Sequence, residues 1–263
     1  MEQGCCTIKT LTHIPKTHPR LESLLVRERL VKGFECGLVA VEGLLAEGRG
    51  EAFDYLLGEK TSRAARKATR VAAAQLLLAK RPVISVNGNT AALCAKDVVN
   101  LAKVANAGIE VNLFYANKKR KQNIALVLKK NGATQVLGTG KKMKQLPGID
   151  SSRRMVDKDG IFSADVVVVS LEDGDRTLAL KKSGKNVITF DLNPMSRTAT
   201  SADITIVDNI TRAISLLAEY CKKMSGNSTK SLEGIVNKFD NKKNLADSII
   251  EIRKHLARRA RIA

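Results

Sequence analysis

The sequence predicts an α/β protein: a mainly parallel sheet with helices on both faces, a helical region before it and a helical tail after it. Two observations carry this reading. From residue 82 to 223, short β-like runs alternate with helical patterns, the rhythm of parallel strands joined by crossover helices. Within that stretch Val166-Val167-Val168-Val169 is apolar without a break, as expected of a strand buried on both faces. Composition agrees, since 263 residues with 44% hydrophobic and 27% charged side chains suit a folded chain long enough to bury a core.

In chain order, the reading gives a flexible leader (1–13), an N-terminal helical region (14–81), the sheet-bearing core (82–223), and a linker with a basic helical tail (224–263). In the second segment, Leu21, Leu24, Leu25, Leu30 and Val31 supply one apolar helix side. Pro19 suits its first turn and Gly33 stops it. Leu38 to Leu45 reads as a short helix ended by Gly48-Arg49-Gly50, and Ala52 to Leu57 as another ended by Gly58. Thr61 or Ser62 caps a buried Ala/Leu-rich helix reaching Lys80. Strands are predicted at Val83–Val86, Ile109–Tyr115, Thr134–Leu137, Asp165–Val169, Asn186–Phe190 and Ile204–Val207. Gly138 to Gly160 reads as a long basic loop, and connections of that length are usually functional. Ser-Gly-Asn-Ser-Thr after Met224 reads as a linker. Leu245, Ile249, Ile252 and Leu256 then form a helical stripe that needs cover, from the same chain or another subunit.

The formal charge is +19, and it is uneven. From Val111 to Ile149 there are nine Lys/Arg, Lys118 to Lys121 among them, and no acid. Such a field serves solvated faces, nucleic acid or small phosphorylated ligands. Aromatics are only 3% and Trp is absent, which counts against base stacking and makes a nucleic-acid partner the weaker reading. The apolar run Val71–Ala79, broken by Gln75, is too short to span a bilayer, and Glu2, Lys9 and Lys16 leave no signal-peptide core. A cytoplasmic chain with five reduced cysteines is expected. No Cys or His spacing suggests a dedicated metal site.

In an open parallel sheet, ligands bind beyond the carboxyl ends of the strands. Four such ends carry small, polar and charged residues: Asn87-Gly88-Asn89-Thr90, Ser170 to Arg176, Asp191 to Thr198, and Asp208 to Thr211. Each precedes a helix start, where free N–H groups and the dipole favour an anion. Singly these are turns and N-caps. Together, with Arg176 and Arg197 on the same rim, they point to a phosphate-rich ligand gathered in one basic hollow. No G-x-G-x-x-G follows a strand, which argues against a dehydrogenase. Gly138-Thr139-Gly140-Lys141-Lys142 fails as a P-loop, because Gln135 replaces the first glycine and Lys142 the Ser/Thr.

The motifs Ile14–Arg20, Gly48–Leu56, Ser85–Asn89, Val169–Thr177, Asp191–Thr198 and Ala202–Asn209 together resemble the archaeal phosphopantothenate synthetase (phosphopantoate–β-alanine ligase) family, in order along residues 14–223. The resemblance implies a Rossmann-like homodimer that uses ATP, as Mg²⁺-ATP, to join 4-phosphopantoate to β-alanine in coenzyme A biosynthesis, releasing AMP and pyrophosphate. It carries ATP contacts onto Arg27, Arg49, Asp191, Leu192, Asn193, Arg197, Thr198, Asn209 and Ile210. Asn87, Asn89 and the helix start at Thr90 are candidates for phosphopantoate or its reacting carboxylate. Asp173 and Asp175 are candidates for Mg²⁺ or the β-alanine ammonium, since both need hard anionic oxygen. Arg176 is placed with them as a catalytic candidate, and His18 is a possible phosphate contact.

Overall fold

The computed structural model describes residues 14–262. The expected leader lies outside them. Among the described residues there are seven strands: β1 (Pro82–Val86), β2 (Gly108–Val111), β3 (Met143–Gln145), β4 (Met155–Asp157), β5 (Val166–Ser170), β6 (Asn186–Phe190) and β7 (Ile204–Ile206). Five form a sheet in the order β2-β1-β5-β6-β7, with every pairing parallel. The remaining pair, β3 and β4, makes an antiparallel ribbon.

Successive strand side chains point to opposite faces, and both faces are covered. Ile84, Val86, Val166, Val168, Ile188 and Phe190 join the larger core, while Val83, Val167, Val169 and Val187 join a second one. The unbroken valine run therefore has a physical cause: neither side of β5 meets water. The predicted strand at Thr134–Leu137 reduces to one parallel bridge, Leu137 with Glu110.

The helices are α1 (Leu21–Glu35), α2 (Val41–Leu57), α3 (Arg63–Leu78), α4 (Gly88–Val104), α5 (Lys118–Lys130), α6 (Gly174–Lys182), α7 (Arg197–Ser201), α8 (Ile210–Met224), α9 (Thr229–Val236) and α10 (Asn241–Ala260). Ser62 caps α3 by accepting from Ala65 N at 2.9 Å, and Gly58 ends α2 in a left-handed conformation, both as expected. Two breaks expected from glycine are absent. α1 runs through Gly33, where a Cβ would meet Ala92 at 2.7 Å, so this glycine permits helix contact. α2 continues through Gly48-Arg49-Gly50. A mid-helix glycine costs only about 1 kcal/mol against alanine, which packing and neighbouring turns can offset.

The expected long loop folds in part. It contains the β3–β4 ribbon, held by the fully buried Glu110, which accepts from Asp157 N at 3.0 Å and Ile161 N at 2.6 Å. Burial pushes the Glu110 carboxyl up to about 7. The Gly138 N–H donates to Asp157 at 3.1 Å, so the Gly-Lys stretch is committed to a protein carboxylate and is no phosphate loop.

The expected linker is a short turn before α9, which packs on α3. α10 docks on the same chain. The Asn241 side chain accepts from Thr205 N and donates to Ala199 O and Ala202 O, and Asn244 donates to Thr205 O, which closes the free edge of β7. Leu245 and Ile252 of the predicted stripe pack against Leu57, Leu192 and Val207, whereas Ile249 and Leu256 stay exposed. Cys94 and Cys221 are buried and free. Among the described residues, no helix is long and apolar enough to cross a membrane.

Candidate active site

Because all five sheet strands are parallel, the polar segments after Val86, Ser170, Phe190 and Ile206 emerge on one edge. The chain leaves β1 toward β2 on one side, and β5 lies on the other. The switch point, where a crevice opens, is thus between the ends of β1 and β5. Two clefts open here rather than the one hollow expected, and α2 contributes to both.

The smaller cleft, about 290 Å³, lies at the switch point. Asn87 caps α4, accepting from Thr90 N at 3.0 Å, and donates to Ser170 O at 2.7 Å, which ties the ends of β1 and β5 together. Asn89 is 6% exposed and donates to Gly43 O on α2 at 2.8 Å. A side chain on Gly43 would collide with Asn89, so the glycine allows this approach. Arg49 reaches the same cleft from α2 and makes no ion pair among the described residues. Arg120 and Arg153 also line it.

Under this cleft lies an ionic cluster. Glu172, with a side chain only 3% exposed, pairs with both Arg153 and Arg176. Arg176 also donates to Ser85 at 3.2 Å. It was expected as a catalytic group, but it is fully buried and has no surface to offer a substrate. Its place is to hold Glu172. Asp173 lines the cleft while capping α6 at Arg176 N, 2.7 Å away. Asp175 is exposed and pairs with Arg197 at 2.5 Å, outside both clefts.

The larger cleft, about 730 Å³, is walled by α1, α2 and the start of α8. It holds His18, Arg27, Glu47, Glu51 and Asn209. Arg27 donates to Glu51 at 2.9 Å, and this hydrogen bond raises the guanidinium pKa. Asn209 caps α8 and donates to Asp54 at 3.2 Å, while Arg212 bridges Asp54 and Asp208 at 2.6 Å each. The sequence-expected nucleotide contacts Asp191, Leu192, Asn193, Arg197, Thr198 and Ile210 line neither cleft. Leu192 and Ile210 are buried, so only their backbone is on offer to a ligand. Asp191 accepts from Asn193 N at 2.9 Å and from the Ser196 hydroxyl. Burial raises its carboxyl pKa. Thr198 donates to Glu172 O at 2.8 Å, joining this loop to the smaller cleft's floor.

Glu47 escaped the sequence reading. It is 7% exposed, and burial raises its pKa to about 7, opposed by a hydrogen bond from Asn89 and reinforced by Asp54 and Glu51. A carboxyl raised this way binds more protons when folded than unfolded, so its contribution to stability falls as pH rises from about 4.5 to about 7. Glu47→Gln, a neutral isostere, should therefore gain thermal stability on wild type between pH 5 and pH 8. Equal offsets in melting temperature at both pH values would contradict this.

Among the described residues, no three His, Cys, Asp or Glu side chains cluster as a metal site. A Mg²⁺ arriving with a nucleotide needs only one or two protein carboxylates, and Asp173 has that chemistry in the smaller cleft.

A family model described as phosphopantothenate/pantothenate synthetase matches residues 64–255. This chain belongs to that family. Three curated relatives named 4-phosphopantoate–β-alanine ligase agree. That of Thermococcus kodakarensis is 50% identical over 251 residues, 95% of this chain and 96% of its own. That of Methanosarcina mazei is 48% identical over 94% and 96%, and that of Methanospirillum hungatei 45% over 92% and 98%. The phosphopantothenate/pantothenate synthetase match begins after Arg27 and Arg49, but the near full-length similarity to the relatives takes in both. In this family member, sequence reasoning missed Arg120, Arg153 and Glu47 at the clefts. The available signal was the acid-free stretch from Val111 to Ile149, which includes Arg120, and the length of the segment containing Arg153.

Proposed function

We propose that this chain joins 4-phosphopantoate to β-alanine at the expense of ATP, forming 4'-phosphopantothenate, AMP and pyrophosphate, as a cytoplasmic step of coenzyme A biosynthesis. The observation that carries the reading is 50% identity to a curated 4-phosphopantoate–β-alanine ligase across nearly the whole of both chains. The cationic cleft at the switch point supports it.

The chemistry explains the arginines. A carboxylate is a poor acyl donor, because oxide would have to leave. Its oxygen attacks the α-phosphorus of ATP, pyrophosphate departs, and an acyl-adenylate results. The β-alanine nitrogen then attacks the acyl carbon, loses a proton, and AMP leaves with its electron pair. ATP and phosphopantoate together bring roughly five to six negative charges near neutral pH. The protein's work is to hold these anions together and stabilise charge. Arg27 and Arg49 are assigned to ATP phosphates. Asp191, Leu192, Asn193, Arg197, Thr198, Asn209 and Ile210 are assigned to the nucleotide, chiefly through loop and helix-start backbone. Asn87 and Asn89 orient phosphopantoate. Asp173 supplies an oxygen to Mg²⁺ or to the β-alanine ammonium, and Asp175 holds Arg197. Mg²⁺ bound with ATP would neutralise phosphate charge.

The protein incubated with Mg²⁺-ATP, 4-phosphopantoate and β-alanine should release AMP and pyrophosphate in equal amounts. ADP with phosphate would replace the adenylate by an acyl-phosphate. No product at all would remove the ligase reading. We also place the chain in a homodimer, supported by the exposed apolar side chains Val31, Phe34, Val41 and Leu45 on or beside α1 and α2. Sedimentation at twice the 28.6 kDa chain mass is expected, and a monomer at micromolar concentration would rule this out.

A further inference from the structure

We propose that the opposite edge of the sheet carries a second site, for a nucleoside polyphosphate, in a cavity of about 600 Å³ between the amino ends of β1 and β2 and the segment that follows β4. The length of β1, roughly 13 Å at 3.3 Å per residue, separates this cavity from the two clefts at the carboxyl edge. The site does not depend on the ligase reading.

Charge is the first observation. Lys80, Arg81 and Lys158 line the cavity, and none of the three side chains makes an ion pair or hydrogen bond among the described residues. The carboxylate on the wall, Asp159, is already engaged, accepting from Lys142 at 3.0 Å. That hydrogen bond, together with the Lys158 and Arg81 charges, holds its carboxyl below the usual range. Behind the wall, Asp165 gives one oxygen to Lys80 N at 2.6 Å and the other to Arg81 N at 2.9 Å. Lys185 is 7% exposed and donates to Phe162 O at 2.8 Å and Ala164 O at 2.9 Å, neutral acceptors that orient its ammonium without neutralising it. Lys80, Arg81, Lys142, Lys158 and Lys185 thus stand against Asp159 and Asp165, five cations to two carboxylates.

Helix ends count against an anion here. α3 ends at Leu78 and α4 at Val104, each two residues before a residue of the cavity wall, Lys80 and Asn106. Two carboxyl termini bring about half a negative charge each. The surplus of three cations then falls to about two, which still matches a phosphate-bearing ligand. Lysines scattered over a surface need no partner, but these converge on one hollow.

The second observation is Phe162. The chain has six Phe and no Trp, yet this ring lines the cavity and is 43% exposed. An aromatic ring on the wall of a cationic hollow offers a base a surface for stacking. Asn106 adds a side-chain amide with no hydrogen bond among the described residues. Ring, amide and cations together suit base, sugar and polyphosphate, and the volume falls in the range of small-molecule sites.

Calorimetric titration of the full chain with ADP, adenosine and pyrophosphate tests this, in wild type, the double variant Arg81→Gln/Lys158→Gln, and Phe162→Ala. Circular dichroism checks that both variants are folded. Wild type should bind ADP at one more site per chain than the double variant, in which affinity at this site falls about tenfold to a hundredfold. The KM for ATP in the ligation should stay at the wild-type value, because the cavity lies at the other edge. Phe162→Ala should weaken ADP at this site about tenfold and leave pyrophosphate unchanged, and adenosine alone should bind more weakly than ADP. The same number and affinity of ADP sites in the folded double variant overturns the site. An equal loss in ADP binding and in KM for ATP also overturns it, because the lost site would then be the nucleotide cleft. ADP binding that ignores Phe162→Ala overturns the nucleoside assignment. An ADP site that depends on Arg81 and Lys158 in a chain without ligase turnover would sink the ligase reading and uphold this one.

Discussion

Arg49→Ala lowers kcat/KM of the ligation on the order of a hundredfold to a thousandfold and leaves the fold intact. Two features set this expectation. Arg49 is exposed on α2, lines the switch-point cleft and makes no ion pair among the described residues, so its removal breaks no internal contact. Its charge faces the place where phosphate charge must be gathered, and losing one oriented donor to developing charge typically costs about 3–4 kcal/mol of barrier. Arg49→Lys should recover only part of the rate, because an ammonium cannot present two parallel donors. Steady-state kinetics with ATP varied, alongside a melting temperature within a degree or two of wild type, checks both halves. Full activity in Arg49→Ala would remove this residue from the site.

The second large effect falls on stability. Glu172→Gln should destabilise the chain by about 3–5 kcal/mol, because the buried carboxylate shared by both arginines disappears and leaves Arg153 only the more exposed Asp173, 3.9 Å away. Arg176 is fully buried and Arg153 nearly so. Burial lowers both guanidinium pKa values, and their mutual repulsion lowers that of Arg153 further. For a chain of this length such a loss corresponds to a fall in melting temperature of roughly 6–10 °C. Arg176→Met in the Glu172→Gln background should return part of it, since a buried charge is removed along with its missing partner. If Glu172→Gln melts like wild type, the cluster is not the ionic support inferred here. If the double change is worse than the single, repulsion between the arginines is not the cause.

Much of the fold was legible in the sequence. β1, β5 and β6 announce themselves as short apolar runs between polar turns, because a strand covered on both faces has no position that tolerates water. Helix caps were legible at Ser62 and Asn209 because capping is local chemistry. The continuity of α2 was not. Gly48-Arg49-Gly50 looks like a break when only neighbours along the chain are considered, yet the flanking turns and their packing carry the helix through. Arg176 was misplaced for a related reason. It follows a polar strand end at the spacing of a rim residue, but as the third residue of α6 it turns its side chain beneath the cleft toward Glu172 and Ser85.

By itself the sequence determined the alternation of strands and helices, the edge on which the polar loops gather, and membership of a ligase family. These follow from side-chain periodicity, from the rule that parallel strands share one carboxyl edge, and from motifs read in order. Tertiary structure alone decided that this edge divides into two clefts flanking α2, and that Arg120 and Arg153, far apart in the chain, meet at the smaller one. That meeting depends on the order β2-β1-β5 and on the docking of the β3–β4 segment through Glu110. Those are long-range pairings, and no local pattern of residues encodes them.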